Sequence, residues 1–220
     1  NKIFYGINYF LTESRKSLAP KAITGLRERQ KQQRRDLILK GAKRLFEAQG
    51  IEETSMAAVA AAVGVSTPTV FNYFGSRDEL LLAIIVDGHE REVSTTDSII
   101  DDTCNLLSDF TRGSLRIFNK TVWRYADSTV IRQPNSVFVR RYSQIDLVLT
   151  KTIEGLLLDK PLKARRGPTF NSAALAAVIY NHWNSHYIGF IKNDDMTIET
   201  HFEMMLPEIR ELLDLVFESP

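Results

Sequence analysis

The sequence predicts an all-α fold in two parts. A three-helix unit with a helix-turn-helix is expected at residues 27–76 and a helical bundle at residues 77–220, with residues 1–26 as an N-terminal extension. Three observations carry this expectation. Residues 55–77 read as two short helices joined by a tight turn. From about residue 97 onward, apolar residues recur at spacings of three and four, with no two-residue alternation of the kind a strand needs. Charge is also divided: residues 1–50 carry twelve Lys and Arg against four Asp and Glu, a net of +8, whereas residues 51–220 carry sixteen against twenty-three, a net of −7. The overall charge of +1 averages a basic head and an acidic body, which suits a chain with one polyanion-binding end.

Composition narrows the class further. A hydrophobic content of 44% is that of an ordinary soluble globular protein, and 220 residues suffice for one large or two modest cores. The single Cys104 excludes an intramolecular disulfide and a cysteine-cluster metal site, and suits a cytoplasmic setting. Apolar runs such as Leu80 to Val86 are far too short to cross a bilayer, so no membrane partner is expected. No signal peptide is evident in a sequence that starts at Asn1.

In residues 1–26 an apolar-aromatic cluster (Ile3, Phe4, Tyr5, Ile7, Tyr9, Phe10, Leu11) is interrupted by Gly6, and Pro20 marks a break. This segment reads as a variable extension, as a basic arm (Arg15, Lys16, Lys21) reaching nucleic acid, or as a partner contact. Residues 27–49 form the first helix, with Ile38, Ala42, Leu45 and Phe46 on one face and basic residues over the rest; Gly50 stops it as a left-handed cap. Ser55 caps a helix at 54–63 whose apolar stripe is Met56, Val59, Ala60 and Val63. Gly64 supplies the turn, Ser66 is placed to cap the next helix at 67–74, and Pro68 lies in its first turn, where a missing N–H costs little. Ser76 and Glu79 make a capping box for a fourth helix at roughly 77–95, the expected lever between the two parts. Further helices are expected from about 97 to 118, at 123–131, at 137–158, at 171–192 and at 198–217, with a Pro- and Gly-punctuated loop at 159–170.

The run from Gly50 to Leu81 resembles the DNA-binding signature of the tetracycline-repressor (TetR) family of transcriptional regulators. The residues that carry it are Gly50-Ile51-Glu52-Glu53-Thr54-Ser55-Met56, Val59-Ala60, Gly64-Val65-Ser66, Thr69-Val70-Phe71-Asn72-Tyr73-Phe74 and Ser76-Arg77-Asp78-Glu79-Leu80-Leu81, and the close match covers roughly residues 34–84. The resemblance implies a homodimer that binds a pseudo-palindromic operator in double-stranded DNA, most often as a repressor released by a small effector. It places phosphate contacts at Thr54 or Ser55, Ser66, Thr69, Tyr73 and Arg77, and base-facing positions at Thr67, Pro68 and Asn72. Phe71 departs from the pattern, where a Tyr is common; lacking the hydroxyl, it packs or meets a thymine methyl. Arg34 and Arg35, on the basic first helix, are further candidates for phosphate contact.

For the second part the resemblance extends only to architecture: effector binding inside a bundle, and dimerisation through the last two helices. Aromatic pocket candidates are Phe110, Phe118, Trp123, Tyr125, Phe138 and Tyr142, with plain core packing as the alternative for each. Being aromatic, they favour an apolar or aromatic effector over an anionic one. Interface candidates are Ala177, Tyr180, Trp183, Ile209, Leu212, Leu213 and Val216, with intramolecular core as the alternative. No catalytic constellation is evident: there is no Gly-rich phosphate loop and no Gly-x-Ser-x-Gly. His182 and His186 lie four apart on one helix face, but the intervening residues lack the Glu of a zinc protease and two ligands do not make a site, so no metal and no cofactor are expected. The rival reading is a helical ligand-binding or scaffold protein whose basic head binds a protein partner.

Overall fold

The computed structural model describes residues 2–5, 25–88, 91–94, 96–159, 165 and 170–217. Nine α-helices occur among the described residues: α1 Leu26–Gln49, α2 Met56–Val63, α3 Thr67–Tyr73, α4 Arg77–Gly88, α5 Ile99–Ile117, α6 Lys120–Arg132, α7 Val137–Asp159, α8 Ser172–Lys192 and α9 Ile198–Val216. Two short strands, β1 Lys2–Tyr5 and β2 Arg91–Ser94, pair antiparallel with Lys2 opposite Ser94 and Tyr5 opposite Arg91. The architecture is thus all-α apart from this ribbon. The expected basic arm at Arg15, Lys16 and Lys21 lies outside the described residues.

The described residues divide into two compact units. One comprises residues 25–88 and 116–142; the other comprises 2–5, 91–115 and 143–217. This division differs from a boundary at residue 76. The helix expected at 77–95 ends at Gly88, inside the first unit, and the chain then enters β2. A side chain at Gly88 would overlap Ile117, so the glycine admits a close approach to the end of α5. Helix α6 also belongs to the first unit, where Asn119 caps it by accepting from the Val122 N–H at 3.1 Å.

In the first unit the apolar periodicities converge on one core. Ile38, Ala42 and Phe46 of α1, Val59 and Ala60 of α2, Val70 of α3 and Leu80, Leu81 and Ile85 of α4 are all buried. Phe46 meets Phe118 with ring centroids 6.4 Å apart, and Phe118 meets Trp123 edge-on at 6.4 Å. Each such large side chain contributes about 1.5–3 kcal/mol by leaving water. Gly41 is required where α1 crosses α2, because a Cβ there would overlap Val63 Cγ1.

In the second unit α8 and α9 pack along Ala176, Ile179, Trp183, Tyr187 and Phe190 on one side and Phe202, Met205, Ile209 and Leu213 on the other, all buried. Trp183 stands edge-on to Phe110 (5.3 Å, 87°) and donates its indole N–H to Thr111 Oγ1 at 3.0 Å. Arg112 lies 4.6 Å over the Phe202 ring. Trp183, Ile209 and Leu213 are therefore enclosed by their own chain, which corrects their assignment to a dimer interface. Ala177, Tyr180, Leu212 and Val216 are half-buried, while Val178, Met204 and Leu215 are the large apolar residues of this helix pair that are exposed.

Candidate nucleic-acid interface

The helix-turn-helix is built from capping and turn chemistry. Ser55 Oγ accepts the Ala58 N–H at 3.0 Å and starts α2. Gly64 ends α2 at φ 69, ψ 33, with its N–H directed at the carbonyls of Ala60 and Ala61; this left-handed conformation suits glycine. Gly50, expected to be a left-handed cap of α1, instead has φ 85, ψ 165, a region essentially confined to glycine. Ser66 starts α3 without capping it through the side chain; its hydroxyl pairs with Thr69 Oγ1 at 2.8 Å. The box at α4 forms with a shift: Ser76 Oγ accepts the Glu79 N–H at 3.1 Å, but the Glu79 carboxylate reaches back to the N–H of Gly75.

The candidate residues separate into three groups. Exposed on α3 and at its start are Ser66, Pro68, Phe71 and Asn72, with Thr67 and Thr69 half-buried. Pro68, Phe71 and Asn72 lie at i, i+3 and i+4 and so share one face of α3. Beside them, Ser55 and Arg34 are also exposed.

A second group is committed to holding the unit together. Arg35 pairs bidentately with Asp87 at 2.5 and 3.2 Å and lies 5.7 Å over the Phe74 ring; the hydrogen bond to Asp87 raises the Arg35 pKa. Arg77 donates to the Glu52 carbonyl at 2.8 Å and to Tyr125 Oη at 3.5 Å. Tyr73 donates its hydroxyl to the Lys31 carbonyl at 3.3 Å, tying α3 to α1. Thr54 forms the third group: it is fully buried, donating to the Gly50 carbonyl at 2.7 Å and accepting from Gln49 Nε2 at 3.2 Å. Its hydroxyl is inside the fold, which removes it from the phosphate set and leaves Ser55 as the member of that pair at the surface.

The aromatic pocket candidates do not form one cluster within either unit. Phe118 and Trp123 are packed into the first core. Phe138 and Tyr142 stack at 5.4 Å, and Tyr142 donates to Asp127 at 3.0 Å. Tyr125 donates to Asp78 Oδ1 at 3.2 Å beneath Arg132, and burial is the main cause that raises its pKa, followed by the Asp78 charge. It lines an open cleft of about 550 Å³ with Ile51, Glu52, Arg124 and Arg132. Phe110 belongs to the second unit, against Trp183. Sequence reasoning missed the Arg77–Glu52–Tyr125–Asp78 network, whose members lie up to 73 positions apart and leave no periodic signal.

Comparison with known proteins places this geometry. Residues 38–84 match the model of bacterial regulatory proteins of the tetR family. The HTH-type transcriptional regulator TcmR of Streptomyces glaucescens is 41% identical over 61 residues, which are 28% of this chain and 27% of TcmR, so the match spans about a quarter of that relative. A TetR transcription regulator from Haloarcula marismortui ATCC 43049 shares the fold with a TM-score of 0.63 at 16% identity, over 85% of this chain and all of that one. Thermus thermophilus FadR, a TetR-family transcriptional repressor solved in complex with lauroyl-CoA, aligns with a TM-score of 0.54 at 18% identity, over 84% of this chain and 97% of that one. Among the described residues no helix is long and apolar enough to cross a membrane. Residues 38–84 are thus the region in which this chain matches the tetR family of bacterial regulatory proteins, and the likeness of the longer chain to solved structures is one of fold.

Proposed function

We propose that this chain is a sequence-specific DNA-binding transcriptional regulator that acts in the cytoplasm as a homodimer, and that it is a repressor released by a small effector rather than an enzyme. The observation that supports this reading best is the face of α3: Pro68, Phe71 and Asn72 are exposed together on a short helix held by Gly64, by the Tyr73–Lys31 bond and by a buried Val70. Asn72 carries an amide suited to an adenine edge, Phe71 an apolar ring suited to a thymine methyl, and exposed Ser55, Ser66 and Arg34 flank them as phosphate contacts.

A dimer would present two such helices about 34–36 Å apart, one helical turn of DNA, to a pseudo-palindromic operator. The exposed Val178, Met204 and Leu215 support pairing through the outer faces of α8 and α9. The effector is proposed to be apolar or aromatic; of the lauroyl-CoA bound by T. thermophilus FadR only the acyl chain matches that description, the coenzyme A part being anionic. Its contacts would involve the partly exposed ring of Tyr125, which lines the open cleft beside Ile51 and Glu52.

Selection of bound sequences from random DNA tests the reading. The expected result is a two-fold symmetric consensus with affinity that falls steeply as salt rises. Recovery of no consensus, together with salt-insensitive capture of protein partners by the basic head, would overturn it in favour of a scaffold role. Addition of acyl and aromatic compounds to the bound complex then tests release.

A further inference from the structure

The second unit brings together three side chains that the sequence separates. His182 and His186 lie one turn apart on α8, so their imidazoles share a face, with ring centroids 4.9 Å apart. Glu208 reaches them from α9: its Oε2 lies 2.9 Å from His182 Nε2 and 3.1 Å from His186 Nε2. All three ligand atoms fall within 4.8 Å of one another.

We propose that His182, His186 and Glu208 form a binding site for a divalent metal ion of the zinc class. The donors are two imidazole nitrogens and a carboxylate oxygen, a set that favours zinc, cobalt or nickel over magnesium or calcium. A tetrahedral ion with bonds of about 2.0–2.1 Å sets its ligand atoms about 3.3–3.4 Å apart. The carboxylate need draw back by only a few tenths of an ångström, while the two imidazole nitrogens, up to 4.8 Å apart, must close by as much as about 1.4 Å, a movement that rotation of the His182 and His186 rings has to supply. The site leaves a fourth position for water, as three-ligand sites do.

A plain His–Glu ion pair accounts less well for the arrangement. Both imidazoles converge on one carboxylate oxygen, and His182 Nε2 is shielded from solvent at hydrogen-bond distance without hydrogen-bond geometry. An ion between the three atoms would satisfy all of them at once. His186 also forms part of the wall of a cavity of about 150 Å³ with Ser185, Gly189, Met196, His201 and Met204, which provides a way in beside the site. Occupancy would clamp α8 to α9. The assignment does not depend on the DNA-binding reading.

The test uses the full chain without a histidine tag, stripped with a chelator and titrated with cobalt(II). One equivalent per chain, with the intense visible absorption of four-coordinate cobalt and its loss on adding zinc, is the expected result. Zinc, but not magnesium, should raise the melting temperature. His186→Asn and Glu208→Gln should each weaken cobalt affinity tenfold or more while far-ultraviolet circular dichroism stays unchanged. Weak, six-coordinate absorption with no saturation at one equivalent would overturn the proposal from the wild-type protein alone. Unchanged affinity in both folded variants would overturn it as well, by placing the ion elsewhere.

Discussion

The helix-turn-helix and the α8–α9 pair are both made of helices with clear apolar stripes, yet they differ in what a stripe reveals. In the helix-turn-helix, backbone chemistry and surface coincide. Gly64 fixes the turn, Val70 is buried below it, and the residues left outward, Pro68, Phe71 and Asn72, are the ones that can meet a ligand. In α9 the stripe of Phe202, Met205, Ile209 and Leu213 shows only that one face is covered. Its own chain does the covering. Periodicity reports a buried face and says nothing about which molecule buries it.

The largest expected effect would break that comparison directly. Leu213 is fully buried in the chain, whereas Leu215, two positions on, is 70% exposed. Leu213→Glu should cost on the order of 4–5 kcal/mol, because it places a carboxylate where nothing pairs with it. Leu215→Glu should change chain stability by no more than about 0.5 kcal/mol, the usual range for a surface site. It should instead shift the protein from dimer to monomer. Urea melts and sedimentation separate the two. A folded, monomeric Leu213→Glu protein would return that residue to the interface.

A second pair of substitutions sharpens the comparison inside the first unit. Arg77 donates to the Glu52 carbonyl and to Tyr125, so Arg77→Ala should lower stability by about 1.5 kcal/mol, the low end for a charged hydrogen bond at a half-exposed site. Asn72 is exposed. Asn72→Ala should leave the melting temperature nearly unchanged and cost about 1–3 kcal/mol of discrimination at one base pair. If Arg77→Ala melts like the parent and only weakens DNA binding, its hydrogen bonds to the frame contribute little and it serves phosphate instead.

These cases show how far the sequence can be read. Helix positions were legible because caps and apolar spacings are local. Ser55 and Asn119 cap α2 and α6 within three residues. The end of α4 was not legible, since the strand that follows it pairs with a segment 86–92 positions earlier and so leaves no local signal. Within the site, exposed Asn72 and Phe71 followed from their place on a short helix. Thr54 did not: a threonine before an N-cap reads as surface, and only the fold shows its hydroxyl turned onto the Gly50 carbonyl. Glu208 was likewise invisible beside His182 and His186, because helix pairing, not spacing along one chain, supplies the third ligand.

The smallest effect concerns a surface tie in the second unit. Arg210 of α9 donates to Asp101 of α5 at 2.8 Å, with both side chains about half exposed. The Asp101 pKa is lowered, chiefly by the hydrogen bond from Arg210, with Ser98 adding to it. A carboxylate whose folded pKa is depressed contributes stability above its unfolded pKa and loses it as pH falls through the folded value. Asp101 also stands in the first turn of α5, where a negative charge favours the helix dipole, so both influences have the same sign. Asp101→Asn should therefore lower the melting temperature slightly at neutral pH. That gap should narrow toward zero as pH drops below the carboxylate range, where the native aspartate is protonated too. Added salt should shrink it as well, since an exposed pair is screened. Melting curves of the two proteins across pH at low and high salt provide the measurement. A gap that stays constant with pH and salt would mean that Asp101 acts through its shape and hydrogen bonds rather than its charge.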